Sequence, residues 1–513
     1  MPPLFSDVDC RRIFSLQDFS LPQFRDGRHP YEKFTGDPVK KGECRWTLGT
    51  LASNLLDFAS SLFADGTDER MANEPNIGRT SPSASLSAAP QRFVLISKLF
   101  RGIGKLGPGI VTGASDDDPS GIATYSQIGA QFGFAMLWTM LLTYPLMAGI
   151  QEISAWIGRV TGVGLAGNIR RHYSPLVLYP LVGLLLVANI INLGADIGAM
   201  GSALNLLVGG SALFYSIQFG VISVLAAIFV PYRQYAQLLK WATLVLFVYV
   251  ATALVVHAPL KPVLIGTFIP TIHFSNSYLT ALMAVFGTTI SPYLFFWQAS
   301  QEVQEQKAAP KEKPLKHAPE QAPAQLEAMR ADTYLGMAFS NLIAFFIILD
   351  TAAVLHAHGI TDIQTGAQAA EALRPLAGEL TFLLFSLGII GTGLLAIPVL
   401  AGSAAYALAE ALKWPIGLER KLHRAKGFYG ILCGATILGV AMNFGSINPI
   451  KALFWSAVLN GIAAVPIMIT MMLMTSNRRV IGTVKLPRPQ KIIGWVATSI
   501  MLLVAAGMLA SLW

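Results

Sequence analysis

The chain has 513 residues, of which 53% are hydrophobic and 13% charged, with mean hydropathy +0.53 and net charge +8. A water-soluble protein of this size carries about 25% charged residues, so the composition excludes a soluble globular domain and predicts an all-α polytopic membrane protein. In such a chain the basic excess sets orientation and gives no reason to expect nucleic acid as a partner.

Residues 1–95 differ from the rest and predict a disordered cytoplasmic tail. Asp7, Asp9, Arg11, Arg12, Arg25, Asp26, Arg28, Lys40 and Lys41 make its start mixed and charged, without the features of a signal peptide. One amphipathic helix is expected over 47–63 and a Ser/Pro/Ala linker over 79–90, and Met71 is an alternative start. From residue 96 onward apolar stretches of about 20 residues recur, each long enough for a ~30 Å hydrocarbon core. They predict eleven spans: 106–131, 134–158, 175–207, 211–231, 236–257, 277–301, 331–355, 379–410, 427–443, 449–474 and 491–512. With the N-terminus inside, Arg159, Arg170, Arg171, Arg330, Arg420, Arg424, Arg478 and Arg479 all fall in cytoplasmic loops. The outer loops hold little beyond Lys261 and Arg374, as the positive-inside rule requires, and the C-terminus is then outside. The Pro/Ala/charge-rich segment 304–330 predicts a flexible cytoplasmic loop whose His317 is no ligand.

Span one is interrupted by Ser115-Asp116-Asp117-Asp118-Pro119-Ser120-Gly121. A charge at membrane depth costs roughly 2.5–3.5 kcal/mol, so three adjacent carboxylates beside a helix-breaking Pro-Ser-Gly are not packing residues. Pro119 removes a backbone donor, and unwound backbone at that depth must be buried in protein or reached by water. Span six carries a second interruption, Gly287-Thr288-Thr289-Ile290-Ser291-Pro292-Tyr293. Paired breaks in the first and sixth spans point to two inverted five-helix repeats, about 106–257 and 277–474, with a cation site between them and an extra helix at 491–512. Asp118 is the expected metal ligand, and Asp116 and Asp117 are expected to line the path of ion access.

In span three, Asn189, Asn192 and Asp196 share a helical face. The asparagines predict interhelical hydrogen bonds, whereas Asp196 is a candidate for either a proton relay or a buried salt bridge. Asp116-x-Asp118-x-Ser120-Gly121 nearly spells a calcium loop, but position twelve is Gln127 in place of the bidentate Glu. His356 and His358 do not share a helical face and are expected in solvent. Glu152, at the inner end of span two, is expected to join a cytoplasmic gate with Arg159. Cys10, Cys44 and Cys433 show no metal or redox spacing.

Gly107-Pro108-Gly109, Asp118-Pro119, Ala123-Thr124 and Gly129-Ala130-Gln131-Phe132-Gly133 resemble the first helix of the Nramp divalent-metal transporters. Gly158-Arg159-Val160-Thr161-Gly162 resembles the end of their second helix, and Asp196 with Gly201-Ser202-Ala203-Leu204-Asn205 their third. The resemblance covers roughly residues 100–513. It implies the LeuT-type inverted-repeat fold and import of divalent metal, typically manganese or ferrous iron and usually with protons, with the ion as substrate and no cofactor. It implies a bacterial inner-membrane location and a metal site of Asp118, the Thr288 carbonyl, Ser291, Gly121 and Ser115.

The departures bear on selectivity. The family's Asn ligand position is Gly121, and its Met-Pro-His is Ser291-Pro292-Tyr293. A hydroxyl thus stands in for a soft thioether, which favours hard cations and brings the pattern closer to the Nramp-related branch associated with magnesium. Magnesium transport with weak or no proton coupling is therefore the alternative reading. An organic-substrate carrier of the same fold would meet repulsion from three carboxylates, and no nucleophile–base pair suggests an enzyme.

Overall fold

The structure, a computed structural model, describes residues 108–230, 234–235, 243–445 and 448–511. The expected tail over 1–95, with its helix and linker, and Gly107 of the first-helix motif lie outside the described residues. The principal helices are α1 (Pro108–Asp116), α2 (Pro119–Phe132), α3 (Trp138–Thr161), α4 (Leu165–His172), α5 (Pro175–Val208), α6 (Ala212–Phe229), α7 (Phe247–Val256) and α8 (Leu260–Phe268). They continue as α9 (Asn276–Thr289), α10 (Pro292–Ala308), α11 (Ala322–Val354), α12 (Thr381–Ala411), α13 (Lys426–Met442), α14 (Pro449–Ser476) and α15 (Arg488–Ser511).

A helix stands at each of the eleven predicted spans, the first formed by α1 and α2 and the sixth by α9 and α10. Seven helical segments among the described residues are long and apolar enough to cross a bilayer alone, α9–α10 counting as one; α2 and α3, meeting at 110°, qualify together. The others are short: α13 has 17 residues, and α7 has 10 and follows the undescribed residues 236–242. Proline sets several helix starts: Pro119, Pro175, Pro292 and Pro449 each occupy a first-turn position, where the missing N–H is no loss. Ser174 and Asn448 accept from the first-turn N–H groups that the helix leaves without partners.

Two helices organise the packing. The long α5 lies against α6, α12, α13 and α14, while α11 runs along α1, α2, α3 and α7. The α1–α11 seam is close enough that a Cβ added at Gly113 would strike the Gly336 backbone. Without a hydrophobic force between helices in lipid, such small-residue contact is what holds a seam together. Leu176, Leu254, Leu260 and Leu503 are exposed on the outside, a placement that suits lipid rather than water.

The segment 304–330 departs from the expected flexible loop. Helix α10 continues to Ala308, α11 already begins at Ala322, and Leu315 and Ala318 between them are buried. The N–H groups of Leu315 and Lys316 donate to the carbonyls of Arg159 and Val160 at 3.1 and 2.9 Å. Two of the segment's glutamates hold it in place: Arg159 pairs with Glu312 at 2.6 Å and with Glu305, as well as with Glu302 just before the segment at 2.5 Å. Glu152 consequently does not pair with Arg159; Arg330 donates to it at 2.7 Å and Tyr334 at 3.1 Å. His356 and His358 are exposed, as expected, and His317 is exposed too.

Candidate metal centre

Helix α1 stops at Asp116 because Pro119 supplies no N–H to continue it, leaving Asp117 and Asp118 outside regular helix. Asp118 becomes the N-cap of α2: its Oδ1 accepts from the Gly121 N–H at 2.8 Å and the Ser120 hydroxyl at 2.6 Å. Its Oδ2 accepts from Asn192 Nδ2 of α5 at 3.0 Å and from the Tyr293 hydroxyl of α10 at 3.3 Å. Asp118 therefore joins the first break, the polar face of α5 and the start of α10. The Tyr293 hydroxyl also reaches the Ser115 carbonyl, at 3.1 Å.

The second break lies against the first. A Cβ built on Gly121 would be 3.2 Å from the Asp116 carbonyl and 3.3 Å from the Thr288 hydroxyl, so Gly121 marks where the two interruptions meet. Ser291 is buried there, but its hydroxyl turns back to the carbonyls of Gly287 and Thr288, both at 2.8 Å. It satisfies the end of α9 and leaves the second lone pair of the Thr288 carbonyl. Ser115 likewise uses its hydroxyl inside α1, on Val111 O at 2.8 Å, and presents its carbonyl to Tyr293.

Asp116 and Asp117 do not line an open path. Both are buried, with Ser340 of α11 2.6 Å from Asp116 Oδ2 and 3.0 Å from Asp117 Oδ1. One serine hydroxyl has one hydrogen, so the two carboxylates share a single donor. Asp196 is linked to Asp118 through one side chain, because Asn192 Nδ2 also approaches Asp196 Oδ2 at 3.3 Å. Asn189 behaves as expected, donating to Leu400 O and the Ser403 hydroxyl on α12 at 3.0 and 2.6 Å. Asn192 also bonds across helices, to Asp118 at the start of α2, and in addition approaches Asp196 on its own helix, so that it bridges two carboxylates.

Four buried carboxylates, Asp116, Asp117, Asp118 and Asp196, thus cluster without a basic partner among the described residues. Asp116 Oδ1, Asp117 Oδ2, Asp196 Oδ1 and Asn192 Oδ1 have no hydrogen-bond partner there. Buried charge left in that condition is costly, and a cation offsets it. The donors are oxygens of carboxylate, amide, hydroxyl and carbonyl, a set suited to hard cations. Among the described residues no three His, Cys, Asp or Glu side chains converge on one point as metal ligands. Ser340, the bridging role of Asn192 and the Tyr293 contact were not anticipated. Asp350 of α11 was also overlooked: it is buried with neither oxygen partnered, and an acid within an apolar span was signal enough.

Known proteins resemble this arrangement in both sequence and fold. The chain is 27% identical over 404 residues to the divalent metal cation transporter MntH of Klebsiella pneumoniae strain 342, covering 77% of this chain and 91% of that protein. The crystal structure of the Eremococcus coleocola manganese transporter in complex with an aromatic bis-isothiourea substituted compound superposes with a TM-score of 0.60 at 17% identity, covering 78% of this chain and 84% of that one. MhsT in complex with L-phenylalanine gives 0.51 at 14% identity, over 79% and 98% of the two chains. These likenesses agree with the expected LeuT-type fold of an integral membrane protein. The natural resistance-associated macrophage protein-like family matches residues 109–511, most of the chain, and the chain belongs to that Nramp family.

Proposed function

We propose that this protein moves a divalent metal cation across the membrane by alternating access, with Asp118 as the principal ligand. The observation that carries the reading is the cluster of four buried carboxylates, lacking basic partners among the described residues, where two helix breaks meet. The ion displaces Asn192 and Tyr293 from Asp118 Oδ2 and draws on the Thr288 carbonyl, with Gly121 letting the two breaks approach closely. Because those two donors belong to α5 and α10, ion binding at Asp118 loosens α1–α2 from both helices. That is the link alternating access needs between occupancy and helix position.

Manganese is the first candidate substrate, on the strength of the relatives' names. Magnesium is a second reading supported by the all-oxygen donor set and by Ser291 in place of a thioether; magnesium keeps several waters and needs only one or two carboxylates. Asp196, linked to Asp118 through Asn192, is the candidate proton relay if protons accompany the ion. We place the protein in a bacterial inner membrane with the N-terminus inside and the C-terminus outside, residues 1–95 forming a cytoplasmic tail and 96–513 the transporter. Uptake of Mn²⁺ and Mg²⁺ into proteoliposomes, with and without a pH gradient, tests the substrate and the coupling; absence of both uptakes rejects the function.

A further inference from the structure

Where α1 begins, its first turn and the ends of α10 and α11 surround a cavity of about 480 Å³ that the ion site above does not include. Its charged walls are Glu302, Glu305, Glu312 and Asp332 against one guanidinium, that of Arg159. Arg159 is already engaged by the three glutamates, and Asp332 accepts from the Gly109 N–H at 2.5 Å. Among the described residues, Glu302, Glu305 and Glu312 face the single guanidinium of Arg159, so this end of the cavity carries excess negative charge. Glu302 is 0% exposed, and its Oε1 has no hydrogen-bond partner among the described residues. A buried carboxylate oxygen without a donor is costly, and an acidic concavity concentrates cations.

Among the described residues no three acidic, His or Cys side chains converge as direct ligands, so a cation held here keeps water in its shell. A hard divalent ion that dehydrates reluctantly is held through its own water by one or two carboxylates. Glu305 and Glu312 have side chains 37% and 36% exposed, so both have room to turn from Arg159 toward such an ion. We propose that this cavity is a second cation site, binding a hydrated divalent cation between Glu302, Glu305 and Glu312. The nine residues of α1 separate it from Asp118. At ~1.5 Å per residue that is roughly one half-membrane away. Its role as a release station on the cytoplasmic face rests on the transport reading, whereas the binding does not.

The test uses full-length protein carrying Asp118→Ala, titrated with Mn²⁺ while the free ion is read from its EPR signal. A saturable site is expected to remain. Adding Glu305→Gln and Glu312→Gln weakens it about fivefold, the size expected for two partly exposed charge contacts. Glu302 is kept so that Arg159 retains its buried partner. Saturable binding indifferent to the glutamate pair, or no saturable binding in the folded Asp118→Ala protein, overturns the proposal. A nitroxide on Ala328→Cys in the cavity wall, with the native cysteines replaced by Ser and the glutamates intact, gives a second reading: bound Mn²⁺ broadens its spectrum, and an unbroadened spectrum also overturns the site. Failure of wild-type protein to take up Mn²⁺ would reject the transport function alone.

Discussion

Tyr293→Phe separates a ligand from a competitor at the ion site. The tyrosine's one hydroxyl hydrogen is shared between Ser115 O at 3.1 Å and Asp118 Oδ2 at 3.3 Å. A hydrogen bond to a charged group contributes about 1.5–3 kcal/mol, and the long, shared contact places this one near the lower end. The variant should therefore lose about 1–2 kcal/mol of stability, with the ring still filling its buried place. Ion affinity should move the other way. If the ion displaces this donor from Asp118, its removal lifts a competitor of about 1 kcal/mol, or roughly a fivefold tighter Kd. Mn²⁺ binding to purified protein and KM in proteoliposomes read the effect. A weaker Kd in folded Tyr293→Phe protein would refute the competition and make the hydroxyl a supporting part of the bound site.

Ser340→Ala removes the donor shared by Asp116 and Asp117 and should cost about 2 kcal/mol, checked by thermal unfolding; an unchanged melting curve contradicts the shared bond. Gly113→Val should force α1 from α11, because even a Cβ would strike the Gly336 backbone; a melting temperature equal to wild type would contradict the close seam. Ser291→Met should favour Mn²⁺ over Mg²⁺ by sulfur contact, but only in part, since a single contact is worth roughly 1–3 kcal/mol. Mn²⁺ uptake in excess Mg²⁺ tests this: wild type that ignores millimolar Mg²⁺ removes the magnesium reading. A chain beginning at Met71 should transport like the full chain, and lost transport at equal membrane expression would assign the tail a role.

The breaks were legible because their causes are local. Proline cannot donate a helical hydrogen bond, and Pro119 and Pro292 open new helices beside carboxylates or small polar residues, whereas Pro145, Pro180, Pro398 and Pro466 stay inside continuous helices. The carboxylates were legible because charge at membrane depth needs an explanation. What sat beside them was not. Ser340 is 224 residues from Asp116, and Asn192 is 74 from Asp118; only the packing of α11 and α5 brings them together. The sequence also does not say where a hydroxyl points: Ser115 donates within α1, to Val111, and Ser291 donates back to the Gly287 and Thr288 carbonyls at the end of α9. The 304–330 segment was misread for a related reason: its polar composition matches a linker, while its Glu305 and Glu312 answer an arginine more than a hundred residues earlier.

The most direct measurement is Mn²⁺ uptake by proteoliposomes containing wild-type or Asp118→Ala protein at matched, correctly inserted amounts. Asp118 supplies the carboxylate at the meeting point of α1–α2, α5 and α10, so its loss should abolish uptake while the protein still inserts. Some instability is expected, because Asp118 also caps α2 at about 1 kcal/mol, so inserted protein must be quantified. Asp116→Asn and Asp117→Asn should weaken uptake less. Wild-type uptake by inserted Asp118→Ala protein would contradict the assignment of the ion site.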